Sequence, residues 1–322
     1  MPIAAVFSSH SPLKDYRRPP GQIADKVDDC LANIRAAVTE FKPDLVLNFG
    51  PDHFNGFFYR LMPAFCIGTS ANSVGDWNTP VGELPVESKI AAACVSHLSE
   101  QDVDVALSHR MDVDHGVTQL LTQLFEWQDI PSLVPVFINC AASPLPPIKR
   151  VEALGYAIGS FLHELENKTR RRILLTASGG LSHDPPIPQL STAPAPARER
   201  LIAGGTLSPE ARAERQEKVL NDADLQVEKR SMQRPLNPAW DQAFLDMLIQ
   251  GDFSSLGHCE EAEITHAAGC GAHEVRTWIA ARSALKSLAQ TDLAVRFYAA
   301  IPEWVAGFGI ATAGLDLPQR AM

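Results

Sequence analysis

The sequence predicts an α/β fold, with a mainly parallel central sheet flanked by helices on both faces and a helical elaboration in the second half. Three observations carry this. Short apolar runs without polar alternation recur through the first half, helical periodicity fills the gaps between them, and the chain changes character after about residue 185. Apolar runs of about 4 to 8 residues suit strands covered on both faces, and a strand, helix, strand order marks a layered α/β fold.

The first strand is expected in IAAVFSS at 3–9, the second in DLVLNFG at 44–50. Between them, residues 21–41 place Ile23, Val27, Leu31, Ile34 and Val38 three and four apart, the spacing of one helix face. Further strands are expected in VDVALS at 103–108, LVPVFIN at 133–139 and RILLTASG at 172–179, with helical patterns at 85–98, 116–127 and 151–165. The Pro- and Ala-rich stretch at 185–209 reads as an irregular loop. A charged helix follows at 208–230, opened by Ser-Pro-Glu, a favoured helix start. Helices near 238–249, 260–268 and 272–289 and two apolar segments, VRFYAAI and VAGFGIATA, complete the chain. No internal repeat or linker is evident, so residues 1–322 are expected to form one catalytic α/β domain, elaborated at about 208–289.

With 45% hydrophobic and 20% charged residues the chain has ordinary globular composition and enough length for a substantial core. Its 28 Lys and Arg against 38 Asp and Glu, a net charge of −10, argue against a nucleic-acid or anionic membrane partner. Six scattered cysteines without a Cys-x-x-Cys pair suggest reduced thiols and a cytoplasmic protein. The N-terminal MPIAAVFSSHSP lacks a basic region and does not read as a signal peptide. The uncharged stretch 131–148 holds five prolines, which argues against a spanning helix.

Ten histidines are candidates for chemistry. His97, His109, His163, His258 and His266 lie in helical or solvated stretches and read as surface or satisfied core residues. His10, His53, His115 and His183 lie instead at strand ends or loop-to-helix junctions, in SSHSP, PDHFNG, DVDHGV and GGLSHDPP. In open parallel sheets the carboxyl ends of strands are where ligand sites gather. Asp52, Asp112 and Asp114 stand near these histidines as groups able to orient an imidazole, or equally as turn residues and helix caps. Gly179-Gly180 allows a sharp turn or a close approach. Ser182 in GGLSH is a nucleophile candidate only without the Gly-x-Ser-x-Gly elbow, which weighs against serine hydrolysis.

Together these motifs resemble the class III extradiol ring-cleaving dioxygenases, and within them the members acting on dihydroxyphenylpropionates. HSP at 10–12, PDHFNGFFY at 51–59, MPAFCIG at 62–68, GELPV at 82–86, VDHG at 113–116, PVFIN at 135–139, SGGLSHDPP at 178–186, LNPAWD at 236–241, HEVRTWIAA at 273–281 and IPEWVAGFG at 301–309 carry the resemblance, in register over essentially the whole chain. It implies an Fe(II) cofactor bound by His10, His53 and a glutamate. Glu260, Glu261, Glu263 and Glu274 compete for that place. The family ligand opens a helix that runs into a Trp, which Glu274 in HEVRTW matches, while the other three suit the exposed first turn of a helix. The resemblance further implies His115 as proton donor and His183 as proton acceptor, roles that sequence leaves interchangeable.

The implied reaction opens the catechol ring of 2,3-dihydroxyphenylpropionate and 2,3-dihydroxycinnamate outside the diol with O2, through a lactone. Two imidazoles and one carboxylate on one face of the ion would leave positions for both reactants. A substrate carboxylate calls for an Arg or Lys that the motifs do not identify. Phe54, Phe57, Phe58 and Tyr59 are candidates to pack on the ring, and the Pro-rich loop after His183 for a lid. A homo-oligomer is expected, since elaborations of this kind serve subunit contacts. The alternatives are a zinc-dependent hydrolase using the same ligands and a non-enzymatic interaction protein on the same fold.

Overall fold

Strands apolar on both sides of the pleat need cover on both faces, and the chain supplies two helical layers to provide it. In a computed structural model, which describes residues 3–317 except 188, 206, 290 and 291, the first half runs β1 (Ile3–Ser8), α1 (Ile23–Phe41), β2 (Leu45–Gly50), β3 (Phe65–Gly68), β4 (Ala71–Val74) and β5 (Val81–Glu83). There follow α2 (Ser88–Glu100), β6 (Ala106–Ser108), β7 (Met111–Val113), α3 (His115–Leu124), β8 (Leu133–Ile138), α4 (Ile148–Thr169) and β9 (Ile173–Ser178). The second half adds α5 (Ala195–Ala203), α6 (Pro209–Val227), α7 (Pro238–Gln250), α8 (Ser254–Gly257), α9 (Glu261–Ala268), α10 (Val275–Ser287), β10 (Ala294–Ile301) and β11 (Ala306–Ala313).

The main sheet has eight strands in the order β10-β11-β1-β9-β2-β8-β3-β6. Its centre, β1, β9, β2 and β8, is parallel, as the continuous apolar runs led one to expect. The flanks depart from that pattern: β3 runs antiparallel to β8, and the β10–β11 hairpin joins β1 through an antiparallel pairing. A hairpin needs only a short turn, here the single 3-10 turn Pro302–Trp304, whereas a parallel neighbour needs a crossover. VDVALS forms a strand only over Ala106–Ser108, and β3, β4, β5 and β7 are three or four residues each, too short to leave a periodic signal.

Alternation along each central strand feeds two cores. Ile3, Ala5 and Phe7 of β1, with Leu45, Leu47 and Phe49 of β2, face one apolar cluster, which includes residues of α2, α4 and α10. Ala4, Val6 and Val46 face the other, closed by α1 and α3. The α4 and α10 helices touch closely because Gly155 and Gly159 of α4 bring no side chain. A Cβ at Gly155 would lie 2.3 Å from the Ala280 carbonyl oxygen, and one at Gly159 would lie 1.9 Å from Ser287 Oγ.

Within the Pro- and Ala-rich stretch expected to be irregular, Ala195–Ala203 is helical. Pro194 precedes this helix and Pro196 lies in its first turn, where a missing N–H costs nothing, so proline content misled the loop reading. Among the described residues no helix is long and apolar enough to cross a membrane.

The close α4–α10 contact predicts that Gly155→Val forces the helices apart and lowers unfolding stability by about 2–3 kcal/mol, the cost of overpacking a tight core. Gly257→Ala, whose added methyl would meet nothing within 4 Å, should stay within about 0.5 kcal/mol of the parent. Urea denaturation of the two variants checks both.

Candidate metal centre and catalytic pocket

The carboxyl ends of β1, β2 and β9 lie side by side, and each runs within a few residues into one of the histidines singled out above. Beyond β1, the Ser9 N–H donates to the Gly309 carbonyl at 2.8 Å and Ser9 Oγ accepts the Gly309 N–H at 2.9 Å, fixing the chain as it delivers His10. Beyond β2, the Asp52 carboxylate accepts backbone N–H groups of Asn55, Gly56 and Phe57, a turn role that sets up the loop bearing His53. His115 is the first residue of α3, and His183 follows the glycine pair after β9.

Glu274 ends the short 3-10 turn before α10 and lies buried among three of these rings. Its Oε1 is 3.1 Å from His53 Nε2 and 3.4 Å from His183 Nε2, and its Oε2 is 3.4 Å from His10 Nε2. The fourth imidazole, His115, stacks on His53 with ring centres 4.2 Å apart and meets His10 edge-on at 5.3 Å. Each ring has its Nδ1 engaged on the far side. His10 Nδ1 pairs with Ser178 Oγ at 2.9 Å, and His53 Nδ1–H donates to Asp114 Oδ2 at 3.1 Å. His115 Nδ1–H donates to Asp76 Oδ2 at 2.5 Å, and His183 Nδ1–H to the Leu181 carbonyl at 2.9 Å. Engaging Nδ1 leaves Nε2 as the free nitrogen, the outer-shell arrangement typical of metal-binding histidines.

Close approach of backbone completes the cradle. The Gly180 N–H donates to Glu274 Oε2 at 2.7 Å. A Cβ at Gly180 would lie 2.5 Å from His183 Cε1, and one at Gly271 would lie 2.1 Å from His183 Nε2. This is what the glycine pair of GGLSH does: it lets His183 and Glu274 share one small space.

Burial pushes His10 down to about 3, so its imidazole is neutral. Against burial, His10, His183 and His53 hold the Glu274 carboxyl well below the usual carboxylate range. The donor set thus fits a divalent cation. Two ligands about 2.1 Å from one ion at right angles are roughly 3.0 Å apart, close to the separations around Glu274. Ligating atoms of His10, His53 and His115 also lie within 4.8 Å of one another, as do those of Asp76, Asp114 and His115. In the second group, however, the carboxylates already accept hydrogen bonds from Nδ1 and backbone donors, and they sit behind the rings.

The remaining sequence candidates fall elsewhere. Glu260 and Glu263 form a capping box on α9, and Glu261 accepts from the Leu145 N–H and Ser143 Oγ. Asp112 is exposed. Asp114 caps α3 through the Gly116 N–H and orients His53 instead of its neighbour His115. Ser182 donates to Asp241 Oδ2 and accepts the Asn237 N–H, buried and committed to structure. His273 is held by Arg276 and Thr265. Phe54 stacks on Tyr59, Phe57 on Phe137, and Phe58 lies under Arg200, so these rings pack away from the imidazoles.

The cleft over the four imidazoles is walled instead by Leu13, Trp77, Ile187, Val219, Trp304 and Val305, with Pro185 and Ile187 from the segment after His183 and Arg215 from α6. Sequence reading missed Asp76, Trp77 and Arg215. A signal for the first two was present in Gly75-Asp76-Trp77-Asn78, a turn where Trp77 and Asn78 take positive φ of 51° and 61° and Asp76 meets His115.

Comparison with known proteins identifies the family. Residues 4–309 match the family described as the catalytic LigB subunit of aromatic ring-opening dioxygenase. The chain is 46% identical over 313 residues to a protein of Mycolicibacterium smegmatis named 2,3-dihydroxyphenylpropionate/2,3-dihydroxicinnamic acid 1,2-dioxygenase, covering 97% of this chain and 99% of that one. Proteins of the same name from Rhodococcus rhodochrous and Klebsiella pneumoniae are 43% and 41% identical, covering 97% and 96% of this chain and 98% of each relative. A crystal structure of an uncharacterized Escherichia coli K12 protein shares the fold with a TM-score of 0.51 at 15% identity, covering 97% of this chain and 99% of that one.

If His10, His53 and Glu274 hold a cation, Glu274→Ala abolishes stoichiometric divalent-metal binding. Asp114→Ala, which frees the His53 ring, weakens it about 10–100-fold. Glu263→Ala leaves it unchanged. Metal titration monitored by calorimetry distinguishes the three.

Proposed function

Because the chain belongs to the LigB family of aromatic ring-opening dioxygenases, we propose that it opens the ring of 2,3-dihydroxyphenylpropionate and 2,3-dihydroxycinnamate with Fe(II) held by His10, His53 and Glu274. The chain is an extradiol catechol dioxygenase of a metal-dependent family. The observation that carries the finer reading is the buried carboxylate of Glu274 lying 3.1–3.4 Å from the Nε2 atoms of His53 and His10, two histidines that line an apolar cleft.

An Fe(II) held by His10, His53 and Glu274 would bring a catecholate and O2 to one centre and pass electron density from the catecholate, the reductant, to O2. The protein's own groups handle protons and exclude water. His183 is suited to accept a substrate hydroxyl proton. Its Nδ1–H is committed to the Leu181 carbonyl and its ring lines the cleft, so Nε2 is the nitrogen left to take that proton. His115 is suited to donate. Its ring is fixed by the buried Asp76 carboxylate, which faces the charge carried by an imidazolium. The asymmetry between a neutral carbonyl behind one ring and a carboxylate behind the other supports this order of roles. Trp77, Trp304, Leu13, Ile187 and Val219 form the dry wall a planar ring needs. In the balanced reaction the catechol and one O2 give a ring-opened dienoate that keeps both oxygen atoms, the bond broken being the ring bond beside the diol.

The reading takes residues 1–322 as one catalytic unit, placed in the cytoplasm and assembled as a homo-oligomer. Exposed Leu225, Val227, Met232 and Ile249 on the helical elaboration support the last point.

Protein purified anaerobically, loaded with Fe(II) and given 2,3-dihydroxyphenylpropionate should take up one O2 per substrate and develop the visible absorbance of the ring-opened product. Absence of uptake and colour with iron, alongside hydrolytic activity with zinc, contradicts the reading. His115→Ala and His183→Ala should keep full metal content and lose about 10²–10⁴-fold in kcat. Loss of metal from either variant makes that residue a ligand.

A further inference from the structure

A dihydroxyphenylpropionate carries, beside its diol, a short arm ending in a carboxylate, and an apolar cleft that buries such an arm must offer a cation or leave a charge unpaired. Among the described residues, and apart from the histidines, one charged side chain lines the cleft: Arg215 of α6, half-buried, in a wall to which Trp77 and Trp304 also contribute. Its Nη2 donates to the carbonyl of His53 at 2.9 Å, which holds the guanidinium against the loop that delivers that imidazole. Among the described residues no carboxylate forms an ion pair with Arg215. A guanidinium has five N–H donors, and this contact uses one. The neighbouring Arg200 is likewise tied to a backbone carbonyl, that of Phe54 at 2.9 Å, and its Nε is buried with no hydrogen-bond partner. Arg212, one turn earlier on α6, is committed to the carbonyls of Val74 and Gly75. Among the described residues the cleft therefore has a floor of imidazoles, apolar walls and a single anchored cation with open donors.

Resting on the reading of the substrate given above, we infer that Arg215 is the specificity residue that receives the side-chain carboxylate of the substrate while the diol sits over the imidazoles. The carboxylate would accept two parallel N–H bonds from the remaining face of the guanidinium, a geometry that a lysine does not reproduce. The same contact would set which way round the catechol lies and thus which ring bond is presented to the reacting centre.

The test compares 2,3-dihydroxyphenylpropionate with 3-propylcatechol, which has the same diol and an arm without charge. In Arg215→Met the ratio of kcat/KM for the acid over that for 3-propylcatechol should fall about 10–100-fold, chiefly through KM for the acid, and Arg215→Lys should recover part of the ratio. Binding of 3-phenylpropionate, which lacks the diol, should weaken by a similar factor in calorimetry, a readout independent of turnover and metal content. An unchanged ratio with unchanged 3-phenylpropionate affinity overturns the assignment, as does an equal fall for both substrates, which would mark Arg215 as a support for the His53 loop. If the parent protein cleaves neither catechol, the underlying functional reading fails, and loss of 3-phenylpropionate binding in Arg215→Met still supports Arg215 as the carboxylate site.

Discussion

The buried carboxylate of Glu274 is the constraint on which the rest of the site depends. An ionised carboxylate taken out of water is costly unless other groups compensate it; here the Gly180 N–H donates to it at 2.7 Å and three imidazole Nε2 atoms stand within 3.4 Å, where a bound cation would complete the compensation. The compensation explains features that look unrelated in the chain. β1, β2 and β9 must be parallel neighbours, so that residues 10, 53 and 183 emerge at one edge. The α10 helix must approach that edge end-on, and its contact with the glycines of α4 holds it there.

Around that carboxylate the four imidazoles are oriented from behind by three kinds of group: a hydroxyl behind His10, carboxylates behind His53 and His115, and a carbonyl behind His183. The differences matter for chemistry. A group that must remain a neutral ligand, one that accepts a proton and one that donates a proton need different neighbours even where the side chains are identical. One acid serves two purposes at once, since Asp114 both starts α3 and orients His53. That coupling ties the folding of a buried helix to the geometry of the candidate metal centre.

How much of this was legible in the sequence differs by distance along the chain. The central strands and the long helices were legible because six-residue apolar runs and 3.6-residue periodicity are local signals. The four site histidines were legible because each follows a strand or opens a helix. Glu274 was legible only through resemblance to a family, since nothing near it in sequence distinguishes it from Glu260, Glu261 or Glu263; burial does, and burial is a tertiary property. Asp76, Trp77 and Arg215 reach the site from a tight turn and from an outlying charged helix, whose local patterns are those of ordinary surface. The aromatic run Phe54 to Tyr59 shows the converse, a conspicuous local signal that tertiary packing turned to core.

The central claim is that the cation sits between His10, His53 and Glu274 with His115 and His183 left free, and an anaerobic crystal structure of the Fe(II)-loaded protein tests it most directly. The account requires iron about 2.1 Å from Nε2 of His10, Nε2 of His53 and a Glu274 oxygen, with Nε2 of His115 and of His183 beyond bonding distance. Iron held by His115, whether with His10 and His53 or with Asp76 and Asp114, the two groups whose ligating atoms lie within 4.8 Å of one another among the described residues, would contradict it.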